Sequence, residues 1–304
     1  MKNKIKTLWK IILVIFILFI LSYTAANIVL DLEFSAKDKI AVINIEGTIS
    51  SGTGSGLLSE ISASPTTIIE DLKKAEADES IKGIIIQINS PGGTVVASEE
   101  IENAIKALKK PKYAVMTEVA ASGGYWIASA ADKIYASPMT ITGSIGVIGS
   151  YLEFSKLFEE YGVTYQRLVG GKYKDMGSVY KNLTEKEKEI FQSKLDKIHS
   201  YFIAQVAENR NMTIANVTAL ATGEFYLGEE ALIFGLIDNL GTKEDAITAM
   251  KEQLNLTKVE IVNYKHKTSI LDLFGIQAPY YFGKGFGSEF SNKIETSTEF
   301  NIKV

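Results

Sequence analysis

The 304-residue sequence has no cysteine, two histidines and two arginines. Without cysteine there is no disulfide framework, no thiolate nucleophile and no Cys-ligated zinc or iron–sulfur centre, so the chemistry must rest on oxygen and nitrogen groups. His199 falls in a helical pattern, at a helix surface or its border, and His266 in a Lys-flanked stretch, so neither is well placed as a catalytic imidazole. With Arg167 and Arg210 as the only arginines, the preferred side chain for bidentate phosphate recognition is nearly missing. Acids are not scarce. Four of the 32 basic residues precede position 11, so 28 face 36 acids in the remainder, a formal −8 within a net −4. An acidic body is a poor partner for nucleic acid, and nothing in the pattern calls for a metal or another cofactor.

Charge is also absent from one long run. Ile11 to Leu30 is twenty residues without a charged side chain, about the thickness of a hydrocarbon core when helical. Lys2, Lys4, Lys6 and Lys10 precede it, which predicts a cytoplasmic leader over 1–10, a transmembrane anchor over 11–30 and an extracytoplasmic body from Asp31 onward. The competing reading is a cleavable signal peptide, with its dense apolar core from Ile11 to Leu21 and small residues at Thr24-Ala25-Ala26. Apolarity resumes at Ile28-Val29-Leu30, which favours the uncleaved anchor.

In the body, Lys39–Ile45, Lys82–Ile88, Tyr113–Thr117, Lys133–Ala136 and Thr164–Val169 are short β-branched or aromatic runs that read as strands. Helical spacing marks Thr66–Glu79 and Ser98–Lys109 between them. Alternating strands and helices predict an α/β domain with right-handed crossovers onto a largely parallel sheet. From Asn182 the pattern turns helical. Thr184 with Glu187 forms a capping box ahead of the stripe Ile190, Leu195, Ile198 and Phe202, and two short helices follow at Thr213–Ala221 and Glu229–Phe234. The Gly/Ser-rich stretch Ser50–Ser64 is a binding loop or a flexible connection. The tail over 265–304 carries Phe274, Tyr280, Tyr281, Phe282, Phe286 and Phe290, which can cover a partner subunit, touch a bilayer or form a partly ordered tail.

Three glycine-containing junctions follow strand-like runs and are expected to lead into helices: Asn89-Ser90-Pro91-Gly92-Gly93, Ala120-Ala121-Ser122-Gly123-Gly124-Tyr125-Trp126 and Thr142-Gly143-Ser144-Ile145-Gly146-Val147. In a parallel sheet such junctions gather at the carboxyl edge, where sites form. Ser122 is a candidate nucleophile. Gly123 places an N–H next to it at a helix start, and Gly92-Gly93 allows a second backbone N–H to approach, so an oxyanion hole can be built from main chain alone. The base must then be a lysine or a carboxylate, since the usual imidazole is not at hand. A lysine acts only when neutral, which requires lowering its pKa from about 10.4 to roughly 7 or 8, within reach of desolvation. Lys174 follows an apolar run and can turn inward, but composition alone does not single it out among many lysines.

The set NSPGG, AASGGYW, TGSIGV, the G-x-YKD segment and Gly223–Gly241 resembles, over roughly Lys39 to Leu254, the S49 serine peptidases in their short membrane-anchored, signal-peptide-cleaving form. The resemblance implies a crotonase/Clp-peptidase-like βαβ spiral domain, here over 31–264, following the N-terminal helix. It implies Ser122 as nucleophile, Lys174 as general base, Ser144 as the residue orienting that lysine, and Gly93 and Gly123 as oxyanion donors. It further implies peptide substrates, chiefly signal peptides left in the membrane, no cofactor, and a ring-like homo-oligomer that shares active-site grooves between subunits. Two alternatives stand beside it. A crotonase-type acyl-CoA hydratase or hydrolase would place a carboxylate at the junctions, where serines stand, and a silent membrane scaffold would have no use for Ser122, Lys174 and Ser144 together.

Overall fold

Apolar runs buried on both faces dictate a sheet with helices on each side. The computed structural model describes residues 9–10, 12–25, 38–52, 62–264 and 301–303. Six strands lie side by side and parallel: β10 (Asn239–Leu240), β6 (Lys133–Ala136), β5 (Lys112–Ala121), β4 (Ile81–Ser90), β1 (Lys39–Glu46) and β11 (Glu260–Tyr264). In the central β4, Ile84, Ile85, Ile86 and Ile88 are all fully buried, as a strand covered on both faces requires. Against one face pack α2 (Pro65–Ala77), α3 (Val95–Lys106) and α4 (Gly123–Ser129), through Leu72, Ile101 and Trp126. The other face is covered by α9 (Lys243–Gln253), whose Ala246 and Met250 meet Ile40, Val42, Ile85, Tyr113 and Tyr135.

What positions the site is a fork in β5. Tyr113–Met116 pair with β6, whereas Val119–Ala121 leave that partner and pair with β7 (Ile141–Gly143). β7 in turn pairs antiparallel with β9 (Phe225–Leu227), so the sheet branches where β5 ends. The β4–β5 register shifts between Ile88 and Ser90, which sets Ser90 opposite Ala120. A short β2 (Thr48–Ile49) continues β1 and pairs parallel with β3 (Ser62–Ala63); residues 53–61 of the predicted loop Ser50–Ser64 lie outside the described residues.

The long helix α6 (Glu185–Asn209) begins at the anticipated capping box: Thr184 accepts from the Glu187 N–H and the Glu187 carboxylate accepts from the Thr184 N–H. α7 (Ile214–Leu220) and α8 (Gly228–Ile233) stand within a residue or two of their predicted positions. Three expectations are corrected. Thr164–Val169 is not a strand: it is irregular and exposed, because Leu168 and Val169 find no neighbouring strand. α3 starts at Val95, three residues before the predicted Ser98, since Thr94 in extended conformation stops the chain and lets the helix begin even on two valines. The TGSIGV junction leads into no helix but runs through 144–147 to β8 (Ile148–Ser150), which pairs antiparallel with β12 (Asn301–Lys303).

At the N-terminus, residues 12–25 form a helix, α1, with large apolar side chains uncovered, Phe16 and Phe19 among them. Among the described residues no helix is long and apolar enough to cross a membrane. Residues 1–8, 11 and 26–30 of the predicted leader and anchor, His266, and the aromatic tail residues between 265 and 300 lie outside the described residues.

Candidate active site

The site is assembled where β4, β5 and β7 end side by side. At the end of β4, Ser90 is fully buried and its Oγ accepts from the Gly92 N–H at 3.1 Å, closing the turn over Pro91. Gly92, at φ 100°, then delivers the chain to β2: the Ile49 N–H donates to Gly92 O at 2.9 Å and the Thr94 N–H to Ile49 O at 2.9 Å. In a parallel bridge of this kind residues 92 and 94 face the partner, so the Gly93 N–H points the other way, toward the side on which β5 lies. A Cβ on Gly93 would fall 1.8 Å from Ile49 O, so only glycine permits this approach.

At the end of β5 the backbone reverses at Ser122, with φ 54° and ψ −122°. This is a strained conformation for a residue with a Cβ, held by hydrogen bonds from the Ser122 N–H to Gly143 O at 2.8 Å and from the Trp126 N–H to Ser122 O at 2.9 Å. The result is a sharp strand-to-helix elbow that lifts the hydroxyl out of the sheet at the start of α4. Gly123, the first residue of α4, carries an N–H that the helix itself leaves without a partner. A Cβ on Gly124 would stand 2.7 Å from Ser90 O, so a second glycine lets the helix start press against the end of β4. Behind the elbow all seven residues of α4 are buried; Trp126 stacks on Phe202 of α6 with ring centroids 4.6 Å apart, and the Tyr125 hydroxyl donates to Leu236 O.

At the end of β7, Ala121 and Gly143 are in register, and Ser122 and Ser144 are the residues that follow them, each just past the end of its strand. Ser144 also has a positive φ, 49°, pinned by its N–H to Glu224 O at 2.9 Å, while its Oγ lies 3.3 Å from Gly223 O. Thr142, fully buried, donates to Ala120 O at 2.7 Å and locks the two strand ends together. His199 of α6 lies with Nε2 3.2 Å from Ile145 O. This contact braces the Ser144 loop from a half-buried helix position.

The structure therefore gathers Ser122, Ser144, Gly93 and Gly123 at one sheet edge. Lys174 is placed differently: it is exposed on the turn 171–177 of an arm between β8 and α6, and no hydrogen bond or ion pair among the described residues joins it to Ser122 or Ser144. Ser90, Gly124, Thr142 and His199 were not singled out as site residues from sequence. Ser90, Gly124 and Thr142 belong to motifs that were noticed; His199 acts through a contact that only the fold creates.

The family model for peptidase family S49 matches residues 104–257, just over half of the chain, taking in both the elbow and the arm. The chain belongs to peptidase family S49. A Clp protease model matches residues 56–143 of the same domain, in keeping with a mixed α/β fold of the Clp/crotonase kind. The S49 chain is 36% identical to a putative signal peptide peptidase SppA of Enterococcus faecium, over 78% of this chain and 70% of that protein. It is 32% identical to putative protease MJ0651 of Methanocaldococcus jannaschii, covering 98% of each. It is 33% identical to protease 4 of Haemophilus influenzae, over 79% of this chain but only 37% of that longer protein. The protein is a serine peptidase.

Proposed function

We propose that this S49 peptidase cleaves peptides with Ser122 as nucleophile and Lys174 as general base. Neutral Lys174 takes the proton of Ser122 Oγ as it attacks the peptide carbonyl; the oxyanion is held by the N–H groups of Gly93 and Gly123; the ammonium then returns the proton to the leaving amine. Water, deprotonated in the same way, attacks the acyl-enzyme and releases the second product. Ser144, which follows Gly143 as Ser122 follows its register partner Ala121, orients the lysine. The observation that carries this reading is the Ser122 elbow: a serine held at φ 54° at a helix start, followed by a glycine whose place against Ser90 O admits no side chain.

The substrates in this reading are signal peptides left after preprotein processing and other unfolded peptides near the membrane. The relative named for signal peptide cleavage supports the class, as does the uncharged run Ile11–Leu30, which would hold the enzyme at the bilayer with its catalytic domain outside the cytoplasm. The exposed position of Lys174 fits a homo-oligomeric ring in which the arm of one copy completes the site of the next. Its apolar residues Leu152, Leu157, Tyr161, Val163 and Leu168, the last 96% exposed, are the surface that such a neighbour would cover. Labelling the full-length enzyme with a sulfonyl fluoride and locating the adduct by mass spectrometry tests the assignment: the adduct is expected on Ser122, and an adduct on Ser144 would reverse the roles of the two serines.

A further inference from the structure

One of the two arginines in the chain is placed in the exposed arm, against the residue that follows Lys174. Arg167 grips Asp175 with a fork of two donors, Nε to Oδ2 and Nη2 to Oδ1, the latter at 2.8 Å, and Nη2 also reaches Lys172 O at 3.4 Å. From the other side Lys181 Nζ lies 3.4 Å from Asp175 Oδ1 and 2.7 Å from Glu187 Oε1. Glu187 is buried and is tied through Oε2 to both the N–H and the hydroxyl of Thr184, the cap of α6. A continuous set of contacts thus runs from the rigid start of α6 through Lys181 and Asp175 to Arg167 and back to the main chain at Lys172. It encloses the turn that carries Lys174. Within that turn the backbone supplies only short-range bonds, from Lys174 N to Gly171 O, Met176 N to Tyr173 O and Ser178 N to Asp175 O.

We propose that Asp175 is a positioning residue for the general base, fixing the turn 171–177 on α6 through Arg167 and Lys181 together. This rests on the reading of Lys174 as that base. The Asp175 side chain is 9% exposed although that of Arg167 is 41% exposed, so the pair is sheltered on its carboxylate side and held by a bidentate fork. The clasp has a second effect. An aspartate left unpaired beside a lysine attracts it and favours its ammonium form, which cannot act as a base. With Arg167 and Lys181 on its oxygens, Asp175 is already engaged.

The two effects separate in kinetics of the full-length enzyme. Asp175→Asn loosens the turn and is expected to lower kcat about tenfold to a hundredfold with KM within about twofold, a loss that raising the pH does not restore. Asp175→Glu, which can keep both cations, is expected to recover most of the rate. Arg167→Ala keeps Lys181 on the turn but frees one side of Asp175, so the acidic limb of the kcat/KM profile is expected to move to higher pH, with the rate recovering in alkali. Wild-type kcat and an unmoved profile in both Asp175→Asn and Arg167→Ala, with Lys174→Ala inactive, would overturn the proposal, as would a lowered melting temperature with no kinetic change. If Asp175→Asn does not fold, the Arg167→Ala profile decides alone. Activity retained in Lys174→Ala would instead remove the underlying assignment of the base.

Discussion

Ser122 shows how a single residue can be held against its own preference. A φ of 54° with ψ −122° costs a residue bearing a Cβ on the order of 1–3 kcal/mol, and the buried helix and the bond to Gly143 O maintain it. Replacing Ser122 by alanine is expected to reduce peptide hydrolysis by at least about a thousandfold with unchanged circular dichroism. Glycine at the same position would be equally inactive but more stable than the alanine variant by about 1 kcal/mol, because it adopts that backbone without strain; paired thermal melts of the two variants measure the difference. At Gly93 the restriction is steric rather than torsional. A methyl group there would meet Ile49 O at 1.8 Å, so Gly93→Ala should shift this segment, move the N–H proposed as an oxyanion donor, and lower kcat about a hundredfold or more while Ser122 remains in place.

Among elements, α4 and α6 share the work of holding the elbow. Trp126 is fully buried against Phe202, and truncating either ring to alanine removes the stack and opens a cavity, for an expected loss of about 3–5 kcal/mol in denaturant unfolding. The start of α6 depends on its capping box, so Thr184→Ala is expected to cost about 1 kcal/mol and to loosen Glu187 at the same time. The clasp at Asp175 has a pH signature. Hydrogen bonds from Arg167 hold its carboxyl far below the usual carboxylate range, with Lys181 adding to the effect. A carboxylate with a lowered folded-state pKa contributes stability above its unfolded value of about 3.9 and loses it as the pH falls through the folded value. The melting-temperature gap between wild type and Asp175→Asn should therefore be constant near neutral pH and narrow only below about pH 4.

At the scale of the whole molecule the proposed nucleophile and base stand on different parts of the fold. Ser122 lies at the edge of the sheet, Lys174 on an arm whose apolar side chains are open in the single chain. If copies complete one another, mixing inactive Ser122→Ala subunits with inactive Lys174→Ala subunits is expected to restore a fraction of wild-type activity, since some interfaces in the mixed ring then pair an intact serine with an intact lysine. Mixtures that stay inactive while wild-type subunits treated identically recover would place both groups in one chain. Light scattering of the purified enzyme in detergent gives the accompanying mass.

Much of this was legible in the residues. The uninterrupted isoleucines of β4, the capping box at Thr184 and Glu187, and the three glycine motifs are local signals, and local signals decide which segments are strands, helices and tight turns. Exclusion narrowed the choice of base, because a chain without cysteine and with two histidines leaves few bases for a serine, but pairing Ser122 with Lys174 came from the resemblance of the motifs. The Thr164–Val169 run was misread because apolarity by itself does not provide a neighbouring strand. Long-range geometry had to come from the fold: the fork of β5 that sets Gly143 in register with Ala121, the approach of Gly93 to Ile49, His199 on Ile145 and Arg167 on Asp175 join residues that no spacing rule connects. The sequence alone determined which groups were available; tertiary packing decided which of them meet, because strand pairing and steric fit act between distant segments.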